Sequence, residues 1–345
     1  MTEKKTILSI SELLGLVEET FVNAGCSRQQ AAAVARVIVA GERDGCKSHG
    51  IYRIEGCLRT IKAGKVAPDA VPELHRDETA IVRVDAKNGF AGAAFELGLP
   101  VLIERTRELG LAALVINGCT HFSALWPEVE AITEHGLAAL AMCPSYATVA
   151  PTGGSEPLLG TNPLAFGWPR QDKTPYVFDF ATSVAARGEI ELHRRAGKPL
   201  PEGWALDADG KPTTDPERAL EGAMLPFGGH KGSAISTMIE LLSGTMIGDL
   251  TSPDVLDYLG TTTLSPHHGE LIVAFDPERF SGGRRGNPLD RAEVLFDAIV
   301  GQGARLPSQR RFNARSGAIA DGIALTATEM DQLETFRQKG IRAID

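Results

Sequence analysis

A serine and a histidine stand side by side at Ser48 and His49, within the stretch RDGCKSHGIYRIEG. Glycines flank the pair, and Arg53 follows about one helical turn later. An imidazole titrates near neutral pH and can donate a proton, while a guanidinium can hold a carboxylate through two parallel hydrogen bonds. A helix junction capped by Ser48, with a solvated histidine, is the simpler interpretation of the spacing. The stretch therefore indicates either a turn or a proton donor beside an anion clamp.

A second histidine, His121, directly follows the apolar run LAALVING and opens CTHFSALWPE. In α/β folds, ligands bind at the carboxyl ends of strands, where helix N-termini follow. A histidine that merely caps the helix fits the pattern equally well.

Two further stretches place polar groups near predicted strand ends. The loop TGGSEPLLGTNPLAFGWP offers Thr161 and Asn162 on an exposed backbone, although a tight turn without a ligand also explains it. FDFATSVAARGEIELH puts Asp179 at a strand end and Glu189 in the following helix. A glutamate there could orient a histidine as in a catalytic triad, or could form a surface salt bridge.

Positive charge concentrates at two late positions of a chain whose net charge is −9. GGHKGS presents Lys231 on a glycine-rich turn, and RLPSQRRFNAR carries Arg305, Arg310, Arg311 and Arg315. These residues suit a phosphate, although a solvated face would have the same composition. The dinucleotide fingerprint GxGxxG is missing, as are GxxxxGK[ST], HExxH and GxSxG. His267-His268 has no further ligand at a suitable spacing, so no metal is expected.

The elements that must position these residues alternate between helix and strand. Residues 1–75 read as helices, with predicted segments from Ser9 or Ser11 to Gly25, from Ser27 to Gly45 and from Arg53 to Lys62. Strands and helices alternate from about 79 to 182, which is typical of an α/β lobe. We predict three regions: helices over 1–75, an α/β lobe over 76–248, and closing helices over 249–345 that pack on the first region.

Composition narrows the class of protein. The chain has 345 residues, of which 43% are hydrophobic, and no apolar run is long enough to span a bilayer. The net charge argues against a nucleic-acid surface, and five cysteines without a CxxC pair indicate reduced thiols. We expect a cytoplasmic protein without nucleic-acid or membrane partners.

Six stretches occur in an order that resembles the malate/L-lactate/sulfolactate dehydrogenase family: DGCKSHGIYR, HFSALWPEVE, GTNPLAFGWP, FDFATS, LPEGWALDADGKPTTDP and GGHKGS. That family binds NAD(P) on a non-Rossmann α/β fold, so the resemblance implies a mixed sheet and agrees with the missing fingerprint. DGCKSHG and HFSALWPEVE are most similar to its branch of cyclic 2-imino acid reductases.

The resemblance implies roles for individual residues. Ser48, His49 and Glu189 would form a relay with His49 as proton donor, although the family has an aspartate where this chain has Glu189. Arg53 and Thr161 would bind the substrate. The implied NADP(H) contacts are His121, Phe122, Ser123, Ala124, Leu125, Asp179, Phe180, Ala181, His230, Lys231, Arg305, Arg310 and Arg311.

The function implied is NADPH-dependent reduction of Δ1-pyrroline-2-carboxylate or Δ1-piperideine-2-carboxylate by a homodimer, with NADH as a weaker cofactor. Two alternatives stay open. One is an NAD(P)-dependent dehydrogenase of a 2-hydroxy acid such as malate, lactate, ureidoglycolate or sulfolactate. The other is a catalytically silent anion-binding protein on the same scaffold.

Overall fold

The computed structural model describes residues 5–75 and 78–344. These residues contain the α-helices α1 (Ile10–Asn23), α2 (Arg28–Arg43), α3 (Arg53–Lys62), α4 (Ala91–Leu109), α5 (Trp126–Thr133), α6 (Arg187–Arg195), α7 (Pro216–Glu221), α8 (His230–Glu240), α9 (Ser252–Leu259), α10 (Pro277–Ser281), α11 (Pro288–Gly301), α12 (Gln309–Asp321) and α13 (Ala327–Lys339). Their strands are β1 (Lys5–Leu8), β2 (Glu73–His75), β3 (Ile81–Asp85), β4 (Leu111–Thr120), β5 (Ala138–Met142), β6 (Leu164–Trp168), β7 (Tyr176–Phe180), β8 (Ala205–Leu206), β9 (Pro212–Thr213), β10 (Ala223–Met224), β11 (His267–Phe275) and β12 (Ile323–Thr326).

A seven-stranded mixed sheet forms the centre of the α/β lobe, in the order β2-β3-β4-β11-β5-β6-β7. Only β3 and β4 pair in parallel; the other neighbours in this sheet are antiparallel. This order differs from a doubly wound parallel sheet, and it confirms the predicted mixed, non-Rossmann α/β class. The sheet buries its apolar residues against α4 and α5.

The helical layer is built from both ends of the chain. Ser9 caps α1 through a capping box with Glu12, and Leu13, Val17 and Phe21 then point into one apolar core at helical spacing. Helix α13 packs on α1, and β1 pairs with β12. The predicted helices of the first region are confirmed, and α3 has the predicted bounds.

Residues 249–345 do not all pack on the first region. Helix α11 contacts the large sheet, where the ring centroids of Phe296 and Tyr176 lie 5.1 Å apart. β11 lies in the middle of the large sheet, where Leu271 pairs with Val115 on one side and Met142 on the other. The apolar run LIVAF explains this placement, because a strand buried on both faces carries few polar residues. Residues 1–4, 76–77 and 345 lie outside the described residues, so the predicted boundary at 75/76 adjoins a stretch without a description.

The sequence-based prediction missed several strands. Strands β1 and β2 lie within residues 1–75, which we predicted to be helical. Strand β6 falls inside the stretch that we predicted as an exposed loop, because its Pro and Gly residues masked an alternating pattern. A small three-stranded sheet, β10-β8-β9, forms with α6 and α7 beside the large sheet.

Within the described part of the chain, every helix is too short or too polar to cross a bilayer.

Candidate active site

A cleft of about 1630 Å³ lies between the helical layer, the large sheet and the small sheet. It exceeds the roughly 300–1,000 Å³ typical of a site for one small ligand. Ser48, His49, Arg53, Thr161 and Glu189 all line it. The structure therefore brings together the five residues for which the family resemblance implied catalytic or substrate roles.

Ser48 and His49 lie on a single 3₁₀ turn, Lys47–His49, that connects α2 to α3. This turn packs so closely on α2 that a Cβ on Gly41 would lie 2.4 Å from the backbone oxygen of His49. Gly50 is constrained by a side chain, since a Cβ there would overlap the carboxylate of Glu42 unless Glu42 moved. Glu42 in turn accepts a hydrogen bond from the amide of Ile51 at 2.9 Å. A glycine at 41 is thus needed for the turn to lie against the helix, and a glycine at 50 leaves room for the Glu42 carboxylate.

The geometry of the turn links its polar groups. Ser48 Oγ lies 3.1 Å from His49 Nδ1, and Arg53 Nε donates to the carbonyl of Ser48 at 2.7 Å. Arg53 has no carboxylate within ion-pair distance among the described residues, so its terminal nitrogens can receive an anion. Burial, together with the positive charges of Arg53 and His121, lowers the pKa of His49 to about 3. His49 is therefore neutral at pH 7 in the free protein.

Glu189 lines the cleft on α6, but the hydrogen bond of His49 goes to Ser48. Within residues 5–75 and 78–344, no contact joins the Glu189 carboxylate to the His49 ring. Its role as the third relay member stays a prediction.

Thr161 is held by its neighbours on a strained turn. Its carbonyl accepts from the amide of Thr182 at 2.8 Å. Asn162 has a positive φ of 32° and is fully buried, with its side-chain nitrogen 2.7 Å from Glu240 and 2.9 Å from Ser236 Oγ. These bonds fix the loop to α8 next to Thr161, which lines the cleft.

Most of the implied cofactor residues line the same cleft. They are His121, Phe122, Ser123, Ala124, Asp179, Phe180, Ala181, Arg305, Arg310 and Arg311. Leu125 is buried, and its amide donates to Asp179 at 2.8 Å. His230 and Lys231 are exposed at the start of α8 and do not line the cleft.

The carboxylate of Asp179 caps the N-terminus of α5. One of its oxygens accepts from the amides of Leu125 and Trp126, at 2.8 and 2.9 Å. Burial raises the pKa of Asp179 to about 6, and the two amide hydrogen bonds counter part of that rise. This carboxylate thus joins the end of β7 to the helix that follows His121.

The arginines of the C-terminal segment divide into two groups. Arg311 is 7% exposed, bonds to Asp44 and Glu130, and stacks on Trp126. Arg315 bonds to the same two carboxylates. Both guanidiniums therefore serve the internal packing of α12 against α2 and α5.

Arg305 and Arg310 differ from this pair, because both are exposed and line the cleft. Among the described residues, neither has a carboxylate within ion-pair distance. They are the C-terminal guanidiniums that a phosphate in the cleft could meet.

A buried cluster behind His121 was missed by the sequence reasoning. His121 Nε2 lies 3.5 Å from Glu128 and 3.7 Å from Glu270, and the His268 ring lies 5.8 Å from the His121 ring. Glu270 is fully buried, and neither of its oxygens has a hydrogen-bond partner in the described chain. Two features of the sequence could have indicated this cluster. Glu128 lies inside the motif HFSALWPEVE, and Glu270 is an ionisable residue directly before the apolar run LIVAF.

The charges in this cluster depend on one another. Burial alone would lower the pKa of His121, but Glu270 and Glu128 raise it to about 10. Burial and the neighbouring Glu270 raise the pKa of Glu128, whereas His121 keeps that of Glu270 below its usual value despite burial. Burial lowers the pKa of His268 to about 4. At pH 7 the cleft wall therefore carries an imidazolium at His121 and neutral rings at His49 and His268.

The same three side chains form the described group whose ligand atoms cluster as those of a metal site would. The ligand atoms of His121, Glu128 and Glu270 lie within 4.8 Å of one another. A shared proton accounts for the same arrangement, since a carboxylic acid, an imidazolium and a carboxylate balance one another in charge.

The chain is similar to known proteins over nearly its whole length. The family model described as malate/L-lactate dehydrogenase matches residues 8–334. The chain belongs to the malate/L-lactate dehydrogenase family. Within that family, a Δ1-pyrroline-2-carboxylate reductase of Agrobacterium fabrum is 72% identical over 98% of this chain and 99% of its own.

Two other members of the malate/L-lactate dehydrogenase family are similar over nearly the whole chain. A Δ1-pyrroline-2-carboxylate/Δ1-piperideine-2-carboxylate reductase of Pseudomonas aeruginosa is 56% identical over 92% of this chain and 95% of its own. The crystal structure of Δ1-piperideine-2-carboxylate reductase from Pseudomonas syringae pv. tomato superposes with a TM-score of 0.92 at 40% identity, covering 96% of this chain and 99% of that one.

Proposed function

We propose that this protein reduces a cyclic 2-imino acid, Δ1-pyrroline-2-carboxylate or Δ1-piperideine-2-carboxylate, to L-proline or L-pipecolate with NADPH. The supporting observation is the placement of Ser48, His49, Arg53 and Thr161 around one cleft, in a chain 72% identical to a reductase of that name. A dehydrogenase family implies a nicotinamide cofactor. When bound, that cofactor supplies the hydride that adds to C2 of the ring.

The residues present fit such a cofactor. Among the described residues, Arg305 and Arg310 have no carboxylate within ion-pair distance, and they line a cleft larger than one small acid needs. Each could hold a phosphate, and an additional 2′-phosphate would favour NADPH over NADH. The walls at Phe122 and Ala124 are apolar and could exclude water from the reacting atoms.

Arg53 and Thr161 would hold the substrate carboxylate and place the ring beside His49. His49 is neutral in the free protein, because burial and two neighbouring cations disfavour its charged form. A ring nitrogen that arrives protonated suits such a site, since it brings its own proton. A 2-oxo acid needs one from the protein. A carboxylate bound to Arg53 would also cancel one of the charges that disfavour protonation of His49, and would thereby raise the pKa of His49.

We further propose a cytoplasmic homodimer. Helix α8 and the turn after it expose apolar side chains, including Leu241 at 55% and Met246 at 61%. His230 and Lys231 begin the same helix but do not line the cleft of their own subunit. A cofactor contact from them would therefore be made to the cleft of the other subunit. Light scattering of the purified protein tests the dimer, and a monomer would contradict it.

The test of function is a comparison of kcat/KM for Δ1-pyrroline-2-carboxylate, Δ1-piperideine-2-carboxylate, pyruvate and oxaloacetate, each with NADPH and NADH. We expect the imino acids to exceed the 2-oxo acids and NADPH to exceed NADH. A higher rate on a 2-oxo acid would instead assign a 2-hydroxy acid dehydrogenase. No oxidation of NADPH with any of the four would assign the silent anion-binding alternative.

A further inference from the structure

The arginines that line the cleft can be sorted by their partners. Arg59 pairs with Glu55 at 2.7 Å, Arg195 with Glu191 at 2.8 Å, and Arg311 with Asp44 and Glu130. Four others have no carboxylate within ion-pair distance in the described chain: Arg53, Arg187, Arg305 and Arg310. Of these, Arg187 is a residue for which neither the motifs nor the family resemblance implied a role.

Arg187 is the first residue of α6, and its side chain is half-buried at the edge of the small sheet. Its contacts are long: Nη2 lies 3.3 Å from the carbonyl of Leu220 and 3.4 Å from the hydroxyl of Thr262. Glu191 lies one turn further along the helix but is occupied by Arg194 and Arg195. A half-buried guanidinium without a counter-charge is costly, so such a group indicates an anion that is bound in another state.

Tyr146 relates Arg187 to the substrate end of the cleft. Tyr146, Arg53 and Arg187 line the same cleft, and the positive charges of the two arginines oppose the rise in the pKa of Tyr146 that burial causes. Arg53 lies on α3 and Arg187 on α6, so two different elements bring unpaired guanidiniums to the cleft. Arg305 and Arg310 belong to the C-terminal segment and do not act on Tyr146.

We propose that Arg187 is a second substrate-binding residue, which holds the carboxylate of the substrate together with Arg53. The inference rests on the proposed function for the identity of the substrate, but requires only that the substrate bears a carboxylate next to the reacting carbon. A carboxylate has two oxygens and about four acceptor positions, so it can accept from two guanidiniums at once. Binding would thereby join α3 to α6 across the cleft.

The experiment compares Arg187→Met, Arg187→Lys and the control Arg195→Met in steady-state kinetics on Δ1-pyrroline-2-carboxylate. Arg195 lies on the same helix and lines the same cleft, but it is paired, and Glu191 keeps Arg194 when Arg195 is lost. We expect Arg187→Met to raise KM about ten- to a hundredfold with a smaller change in kcat. The KM of Arg187→Lys should lie between those of the wild type and Arg187→Met, because lysine keeps the positive charge but lacks the planar fork of arginine. Arg195→Met should stay within about twofold of the wild type.

Binding of NADPH, followed by its fluorescence, separates substrate from cofactor effects. An unchanged KM in both folded Arg187 variants would overturn the proposal, and so would a weakened NADPH affinity with KM unchanged. If Arg187→Met fails to fold, judged by thermal melting, Arg187→Lys decides alone. If the wild type prefers a 2-oxo acid, the proposed function fails. The same rise in KM on that acid would still support Arg187 as a carboxylate ligand.

Discussion

At the scale of single residues, two histidines in one cleft have opposite charge states. The bond from Ser48 occupies Nδ1 of His49, and no described residue bonds to its Nε2, which can meet a ligand. His121 is the reverse case, because its Nε2 faces Glu128 and Glu270. The sequence around each histidine does not show this difference, because Glu270, which lies beside His121, comes from a distant strand.

His49→Ala should lower kcat by about two to four orders of magnitude, the usual contribution of a positioned acid or base. NADPH binding should persist, because the cofactor residues proposed above lie elsewhere on the cleft wall. The loss should be smaller for Δ1-pyrroline-2-carboxylate than for a 2-oxo acid, since the imine can arrive protonated. Steady-state rates and NADPH fluorescence measure the two effects. A near-wild-type kcat on both substrates would reject His49 as donor and leave His121 as the candidate.

Glu270→Gln should bring the pKa of His121 down from about 10 toward its ordinary value of 6.5, because it removes a buried negative charge beside the ring. Glu128→Gln should lower it less, since burial and Glu270 favour the neutral form of Glu128. NMR titration of labelled histidines reports both shifts without needing activity. An equal titration of His121 in wild type and Glu270→Gln would show that the carboxylate does not hold the proton there.

At the scale of elements, adjacent residues of α12 contribute to internal packing and to the cleft wall. Its buried side carries Arg311 onto Asp44, Glu130 and Trp126, while Arg310 points to the open cleft. Burial alone would raise the pKa of Asp44, but hydrogen bonds from Arg315 and Arg43 lower it to about 2. The network joins α2, α5 and α12 behind the cleft.

Arg311→Ala should therefore destabilise the protein by about 1.5–3 kcal/mol, because it removes the charged hydrogen bonds of a buried guanidinium and leaves Asp44 and Glu130 to Arg315. Arg310→Ala should leave stability nearly unchanged and reduce the preference for NADPH over NADH. Chemical denaturation measures the first effect and kcat/KM with both cofactors measures the second. Equal stability losses in the two variants would contradict this division of α12.

At the scale of the whole molecule, the buried groups make stability depend on pH. His49 has a folded pKa of about 3 against 6.5 when unfolded, so between these values only the unfolded chain binds the proton. Stability from this group therefore falls as pH drops below about 6.5. Asp44 has a folded pKa of about 2 against 3.8 when unfolded, so the protein loses further stability as the pH falls from 3.8 toward 2.

His49→Gln should flatten the fall in unfolding free energy between pH 6.5 and 3, by up to about 1.4 kcal/mol per pH unit. Glutamine keeps a polar side chain at the turn but does not titrate. Urea denaturation of both proteins across that range provides the measurement. Parallel curves would mean that His49 is protonated in the folded protein, contrary to its burial beside Arg53 and His121.

Local patterns were sufficient for several features. The capping box at Ser9, the apolar spacing of α1 and the bounds of α3 follow from residues close together in the chain. So does the Ser48-His49 turn with Arg53 one turn later, since all three lie within six residues. The motifs around them also indicated the family and its mixed α/β fold.

Only the tertiary structure decided which charged groups meet. Glu270 faces His121 because β11 pairs with β4 in the middle of the sheet. The sequence of either strand alone does not determine the register of that pairing. Arg310 and Arg311 are neighbours in sequence, yet the packing of α12 buries one and exposes the other. Lys231 resembles a phosphate ligand by its glycine-rich turn but lies away from the cleft of its own chain. Helix period and capping act over a few residues, whereas the charge on a buried side chain depends on partners that distant segments supply.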